Sequence, residues 1–355
     1  MRRLFAFAIA TVVLAGCSSS GSGYATSTAN GSNDAGQSVS ALKVAMVTDV
    51  GGLGDESFND SANRGLLLAQ HSLGAHVTVL QSRSVNDYEP NLATLAGQGY
   101  GLIFAIGFLM HDSLDDVAPR FPKTHFAIVD SVVDRPNVTS VTFKEEESSF
   151  RAGVIAGLVT KKNAVAFLGG IESPLIEKFQ VGFAAGVRSV NPRATMLVKY
   201  TGSFDDVATG KEYASVLYDQ GADIIYVAAG KCGLGAIDEA KARPAGDYIV
   251  GVDSDQDALA PGKVLTSALK HVDNVVLALA QDAAHGTIPG GTLVFGLKAG
   301  GVGLTPMRYT KQLLPRGALA TEAAYEKLII SGKLVVPFTL AQSKAFVPVH
   351  PAPAK

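Results

Sequence analysis

From Leu42 onward, continuous apolar runs of about five to seven residues alternate with helical stripes. The runs are LKVAMVT, GLIFAIG, HFAIVD, AVAFLGG, ADIIYVAAG and DYIVGVD. None of them alternates apolar with polar positions. Strands buried on both faces read this way, so the pattern predicts parallel sheets covered by helices. Between the first two runs, Phe58, Ala62, Leu66, Ala69 and Leu73 fall on one helical stripe. Ser57 followed by Asp60 has the spacing of a capping box and predicts where that helix begins. LTSALKHVD predicts a further strand, and the strand–helix rhythm continues past residue 250. The whole is doubly wound α/β architecture.

This many strands favours two smaller sheets over one large one. At 355 residues the chain can build two cores. The first unit runs from about Ala41 to Glu147. A break falls at the polar stretch FKEEESSF, and the second unit opens with the helix after Ser149. Composition agrees: 47% hydrophobic residues, 17% charged and 38 glycines suit an α/β protein with many short loops. A net charge of −2 leaves no basic footprint, which excludes nucleic acid as a partner.

The N-terminus reads differently. A basic MRR precedes the apolar run LFAFAIATVVLAG, too short to span a bilayer, and then Cys17. Leu14-Ala15-Gly16-Cys17 resembles the lipobox of bacterial lipoproteins. That implies removal of residues 1–16 and diacylation of Cys17, anchoring the protein on the extracytoplasmic face of the cell membrane. Each buried methylene would contribute about 0.8 kcal/mol. Residues 17–40, rich in Ser, Gly, Thr and Asn, predict a flexible tether. Cys232 is then the one other cysteine, so no intrachain disulfide is expected, and it reads as a small buried filler. Residues 346–355 form a Pro-rich tail.

In open α/β sheets, ligands bind beyond the carboxyl ends of the strands. The apolar runs end in Asp49, Gly107-Phe108, Asp130, Gly230 and Asp253, and the later strand in Lys270. Carboxylates, a lysine, glycines and aromatics at one edge make a site for a polar ligand. GKCGLG lacks both GxGxxG spacing and a GK[ST] ending, so it predicts no phosphate loop. The histidines show no HExxH or paired spacing, and no GxSxG elbow occurs. No metal, cofactor or catalytic residue is expected. Nucleoside hydrolases hold calcium with an Asp-rich loop after a strand, but TDVGGLGDES lacks their adjacent aspartates, which leaves hydrolysis a weak runner-up.

KVAMVTDVGGLGDESFND resembles the opening of the basic membrane protein family. These lipoproteins are substrate-binding components of ABC importers and include purine nucleoside receptors. The likeness covers roughly residues 41 to 305. It recurs in FKEEESSFRAGVIAG, PLIEKFQVGFAAGVRSVNP, GVDSDQ, LTSALKHVDNVV and GGTLVFGLKAGGVGL. It implies a type I periplasmic-binding-protein fold, two α/β lobes joined by three crossovers near residues 147, 270 and 292. The N-terminal lobe would hold residues 41–147 plus 271–291, and the C-terminal lobe 148–270 plus 292–345. It further implies a monomeric, non-enzymatic receptor. Its cleft would take a purine nucleoside (guanosine, inosine or adenosine) for delivery to ABC permease and ATPase subunits.

The resemblance also assigns roles. Phe58 and Tyr226 match a pair of rings that stack on the base, each adding about 0.5–1.5 kcal/mol beyond area burial. Asp49 and Asn59 would hydrogen-bond the base or its surroundings, and Asp130 would face it. Asp253 and Lys270 would hold ribose hydroxyls as acceptor and donor. Gly230 would let the backbone approach the sugar. Taken alone, the residues allow blander roles: core packing for Phe58, a helix cap for Asp49, a first-turn surface position for Asn59, a solvated strand end for Lys270. The sequence departs from the family at Gly54, Lys231-Cys232 and Arg151. A receptor for another polar ligand, a sugar or signalling molecule, is the second reading.

Overall fold

The computed structural model describes residues 42–351. The expected signal peptide, the lipidated Cys17 and the tether lie outside them. The first unit runs β1 (Lys43–Thr48), α1 (Phe58–Leu73), β2 (His76–Gln81), α2 (Tyr88–Gly97), β3 (Leu102–Ile106), α3 (His111–Val117), β4 (His125–Val129) and β5 (Val138–Phe143). After one crossover come α4 (Glu145–Val159), β6 (Ala164–Gly169), α5 (Pro174–Val190), β7 (Thr195–Tyr200), α6 (Val207–Asp219), β8 (Ile224–Ala228), α7 (Cys232–Ala242), β9 (Tyr248–Asp253) and β10 (Val264–Lys270). The chain then passes through α8 (Val272–His285), β11 (Gly291–Phe295), β12 (Val302–Leu304), α9 (Ala318–Ile330) and α10 (Leu340–Ala345).

Two six-stranded sheets result, ordered β11-β5-β4-β3-β1-β2 and β12-β10-β9-β8-β6-β7. Every pairing is parallel except β10 with β12. The continuous apolar runs are the inner strands. Val44 to Val47, Leu102 to Ile106 and Ile224 to Val227 are wholly buried, because helices cover both faces.

Two boundaries and one helix cap differ from the sequence reading, while α1 begins after Ser57 as expected. β11 pairs with β5 through Phe295↔Phe143, so the third crossover follows Phe295 and residues 292–295 belong to the first lobe. α4 begins at Glu145, ahead of Ser149. The acidic stretch that reads as a linker is its first turn, where a helix N-terminus favours carboxylates. The capping box at α1 does not form. Asp55 caps that helix instead, accepting from the backbone N–H groups of Ser57, Asn59 and Asp60 at 2.8–3.1 Å. Ser57 is thereby released for another contact.

Arg151 pairs with Glu322 and, at 2.9 Å, with Glu326, tying α4 to α9. It takes no part in the cavity described next.

Candidate functional site

The carboxyl ends of the strands of both sheets face one cavity enclosing about 520 Å³ of non-protein space, solvent at its mouth included. Of the eight ligand-binding residues expected from sequence, the structure brings seven to its wall: Asp49, Phe58, Asn59, Asp130, Gly230, Asp253 and Lys270. Tyr226 is not among them. It lies two residues inside the end of β8, wholly buried, with its hydroxyl 3.0 Å from that of Ser149. Its ring packs against Phe167 and Phe183, with centroids 5.7 and 5.0 Å away. Pointing into the second lobe's core, it cannot stack on a ligand. Phe108, Phe179 and Phe204 supply the further rings at the wall. Phe108 and Phe204 meet edge to face at 6.2 Å; Phe108 stands at a strand end that the sequence marks, and Phe204 in a loop that no strand or helix period marks.

The first lobe contributes a bonded acidic group. The Asn59 amide donates to Asp49 Oδ1 at 2.9 Å and to Asp55 Oδ2 at 3.1 Å. Gly51 N–H also donates to Asp49, at 2.9 Å. Burial pushes the Asp49 carboxyl up to about 6, while the Asn59 bond favours its charged form. Gly107 is required beside it: φ is +119° there, and a Cβ would sit 3.1 Å from Asp49 Oδ2.

Asp130 follows β4 and Asp253 ends β9, both in the left-handed region, at φ 72° and 61°. Such backbone strain recurs at functional sites, and aspartate tolerates it better than most residues. Asp130 Oδ2 accepts from Lys270 Nζ at 2.5 Å. Burial drives this carboxyl upward and the ammonium holds it down. Burial opposes the charge of Lys270 too, but Asp130, Glu145 and Asp253 together raise its pKa. The two directions conflict for a simple ion pair. The short contact between a donor and an acceptor, both enclosed, makes the ionised pair the state that satisfies each partner.

Asp253 Oδ2 accepts from the Ser57 hydroxyl at 2.9 Å, the contact that Asp55 capping sets free. Burial pushes the Asp253 carboxyl up to about 7, with Lys270 and Ser57 working against it. That bond also crosses between lobes. Ser254 donates to Ser57 O at 2.9 Å, Gln256 to Glu56 O at 3.1 Å and Lys231 to Leu53 O at 3.1 Å. The lobes are therefore latched at this edge. Lys231, one of the departures noted above, takes part in this latch and does not line the cavity. Gly230 adopts φ +53°, and a Cβ there would approach Phe204 O to 3.1 Å. Cys232 is buried, donates to Ser203 O and lies off the cavity wall.

The unsatisfied groups at this wall have one character. Asn59 Oδ1, Asp130 Oδ1 and Asp253 Oδ1 are buried without a protein hydrogen-bond partner. All three are acceptors. A buried acceptor left unmet costs about 1–3 kcal/mol, so hydrogen-bond donors brought to this wall would find acceptors with no protein partner.

The architecture and the sequence point the same way when compared with known proteins. A chain 39% identical over 94% of this one and 97% of its own length is described as the ABC transporter nucleoside-binding protein BmpA of Lactococcus lactis subsp. cremoris. Another, basic membrane protein A1 of Borrelia garinii subsp. bavariensis, is 34% identical over 86% of this chain and 91% of its own. An ABC transporter system solute-binding protein from Aeropyrum pernix K1 superposes with a TM-score of 0.78 at 29% identity, covering 86% of this chain and 96% of that one. Its likeness extends to both lobes, so the fold is the type I periplasmic-binding-protein fold. The family described as ABC transporter substrate-binding protein PnrA-like matches residues 42–337. This chain belongs to that family of ABC transporter substrate-binding proteins.

Proposed function

We propose that the cleft captures a purine nucleoside and delivers it intact to an ABC permease and its ATPase, with no chemical step. The observation that carries this reading is the set of three unpaired acceptors on residues that line the cavity together with Phe58, Phe108, Phe179 and Phe204. A nucleoside offers what such a wall lacks: a planar base for the rings and hydroxyl and amine donors for the oxygens. Asp253 Oδ1 serves the ribose hydroxyls with Lys270, and Asp130, Asn59 and Asp49 serve the base. An ionised Asp130 only accepts, so it favours guanosine or inosine, whose N1–H donates, over adenosine. The nucleoside-binding description of the Lactococcus lactis relative supports the ligand class. A sugar would satisfy the acceptors but leave most of the aromatic wall without a partner.

Calorimetry with guanosine tests the reading. Binding is expected in the wild-type protein, weakened by about 1 kcal/mol or more in Phe58→Ala through lost area and stacking. Tyr226→Phe removes only the bond to Ser149 and is expected to leave the affinity as it was. No heat with any purine nucleoside, or hydrolysis of guanosine to free base, defeats the reading.

The receptor is held at the extracytoplasmic membrane surface through acylated Cys17, and acts as a monomer. Cys17→Ser is expected to move it from the membrane to the soluble fraction. Unchanged partition in a detergent-phase extraction removes the anchor from this account.

A further inference from the structure

Lys270 is enclosed by more than its aspartate. Its Nζ lies 3.1 Å from Glu145 Oε1, within ion-pair range although not aligned as a hydrogen bond. Phe58, Phe143 and Phe179 surround it with ring centroids 5.0, 5.1 and 5.8 Å away. Its direction is therefore set by two carboxylates, with the rings closing its other sides except toward the cavity that it lines. Glu145 is wholly buried, and its other oxygen accepts from Lys178 at 3.1 Å. Lys178 also donates to Phe143 O at 3.1 Å, which fixes it from behind. The chain of charges Asp130–Lys270–Glu145–Lys178 alternates in sign. Glu145 opens α4 just past the first crossover, and Lys270 closes β10 just before the second. One carboxylate thus ties two of the three connections between lobes.

We propose that Glu145 is a positioning residue for ligand binding: it holds the Lys270 ammonium so that one N–H is spent on Asp130, one faces Glu145 and the third is presented to the ligand's sugar. The ammonium has three donors and no acceptor, so this division is complete. Without the second carboxylate, Lys270 collapses onto Asp130 and its presentation to the sugar is lost. The inference rests on the reading of Lys270 and Asp253 as sugar contacts.

The test is the ratio of affinities for guanosine and 2′-deoxyguanosine, measured by calorimetry. Glu145→Gln keeps the shape and removes the charge. It is expected to weaken guanosine about 10-fold and 2′-deoxyguanosine much less, so the ratio narrows. Equal losses for both ligands, or none, overturn the proposal, because a role in packing alone does not distinguish the two sugars. Should Glu145→Gln fail to fold, Lys178→Gln decides. That side chain is 25% exposed, and losing it leaves Glu145 with Lys270 as its one cation in this chain of charges, which pulls the ammonium toward Glu145 and off the sugar. A narrowed ratio supports the proposal and an intact ratio overturns it. Asp253→Asn separates the two levels of the argument. If it narrows the ratio while the Glu145 and Lys178 variants do not, Glu145 alone loses its role. If it too leaves the ratio intact, the sugar assignment falls and the role of Glu145 falls with it.

Discussion

Lys270→Met is expected to cost the ligand-free protein about 3–5 kcal/mol of stability near neutral pH. Methionine fills the space among Phe58, Phe143 and Phe179 well enough, so the loss is electrostatic. The side chains of Asp130 and Glu145 are 5% and 0% exposed, and the variant strips both of the ammonium they share. Asp130, already pushed upward by burial, loses the charge that held it down. Its folded-state pKa then lies further above the unfolded value. The native state binds a proton that the unfolded chain releases, so stability falls as pH rises and returns on acidification. Urea unfolding at about pH 5 and about pH 8 should show a smaller deficit at the acidic value. A deficit that grows with acidity, or one under about 1 kcal/mol, contradicts the assigned ion pair.

The inner strands were legible because burial on both faces leaves one chemical signature. β1, β3, β4, β6, β8 and β9 are the apolar runs almost residue for residue. β2 and β7 were not, since each forms a sheet edge with residues open to solvent, and HVTVLQ and TMLVKY mix their polarity accordingly. β11 is an edge strand too, and the crossover near residue 292 that the resemblance implies falls inside it. The strand-end rule located Asp49, Asp130, Gly230, Asp253 and Lys270 at the cavity because topology alone brings those ends together. Tyr226 came from the family resemblance and not from that rule. It stands mid-strand, and the residues that reach the cavity from that strand's end are Ala228 and Gly230. Phe179 and Phe204 come from a helix and a loop, where no period separates a ligand-facing ring from a packed one. Ser57 illustrates a subtler limit. Its spacing to Asp60 suits a cap, but Asp55 reaches the same N–H groups first, and the displaced serine latches the opposite lobe.

Guanosine is expected to bind far more tightly than guanosine monophosphate, and about 10- to 150-fold more tightly than 2′-deoxyguanosine. The charged residues at the wall are Asp49, Asp55, Asp130, Asp253 and Lys270, and the lysine is already paired. A dianionic phosphate brought into this cleft would meet four carboxyls and no free cation among the described wall residues, in surroundings that screen charge poorly. It could also offer the three unpaired oxygens no donor in place of the hydroxyl it replaces. The ribose works in the opposite sense. Asp253 Oδ1 lacks a protein partner, and a carboxylate there can accept from neighbouring 2′- and 3′-hydroxyls. Removing the 2′-hydroxyl takes away a charge-assisted bond worth about 1.5–3 kcal/mol and leaves the acceptor partly unmet. Competition calorimetry with the three ligands reads both halves at once. Equal affinity for the deoxynucleoside would remove Asp253 from the sugar site, whereas preference for the monophosphate would mean that the four carboxyls do not govern what this cleft admits.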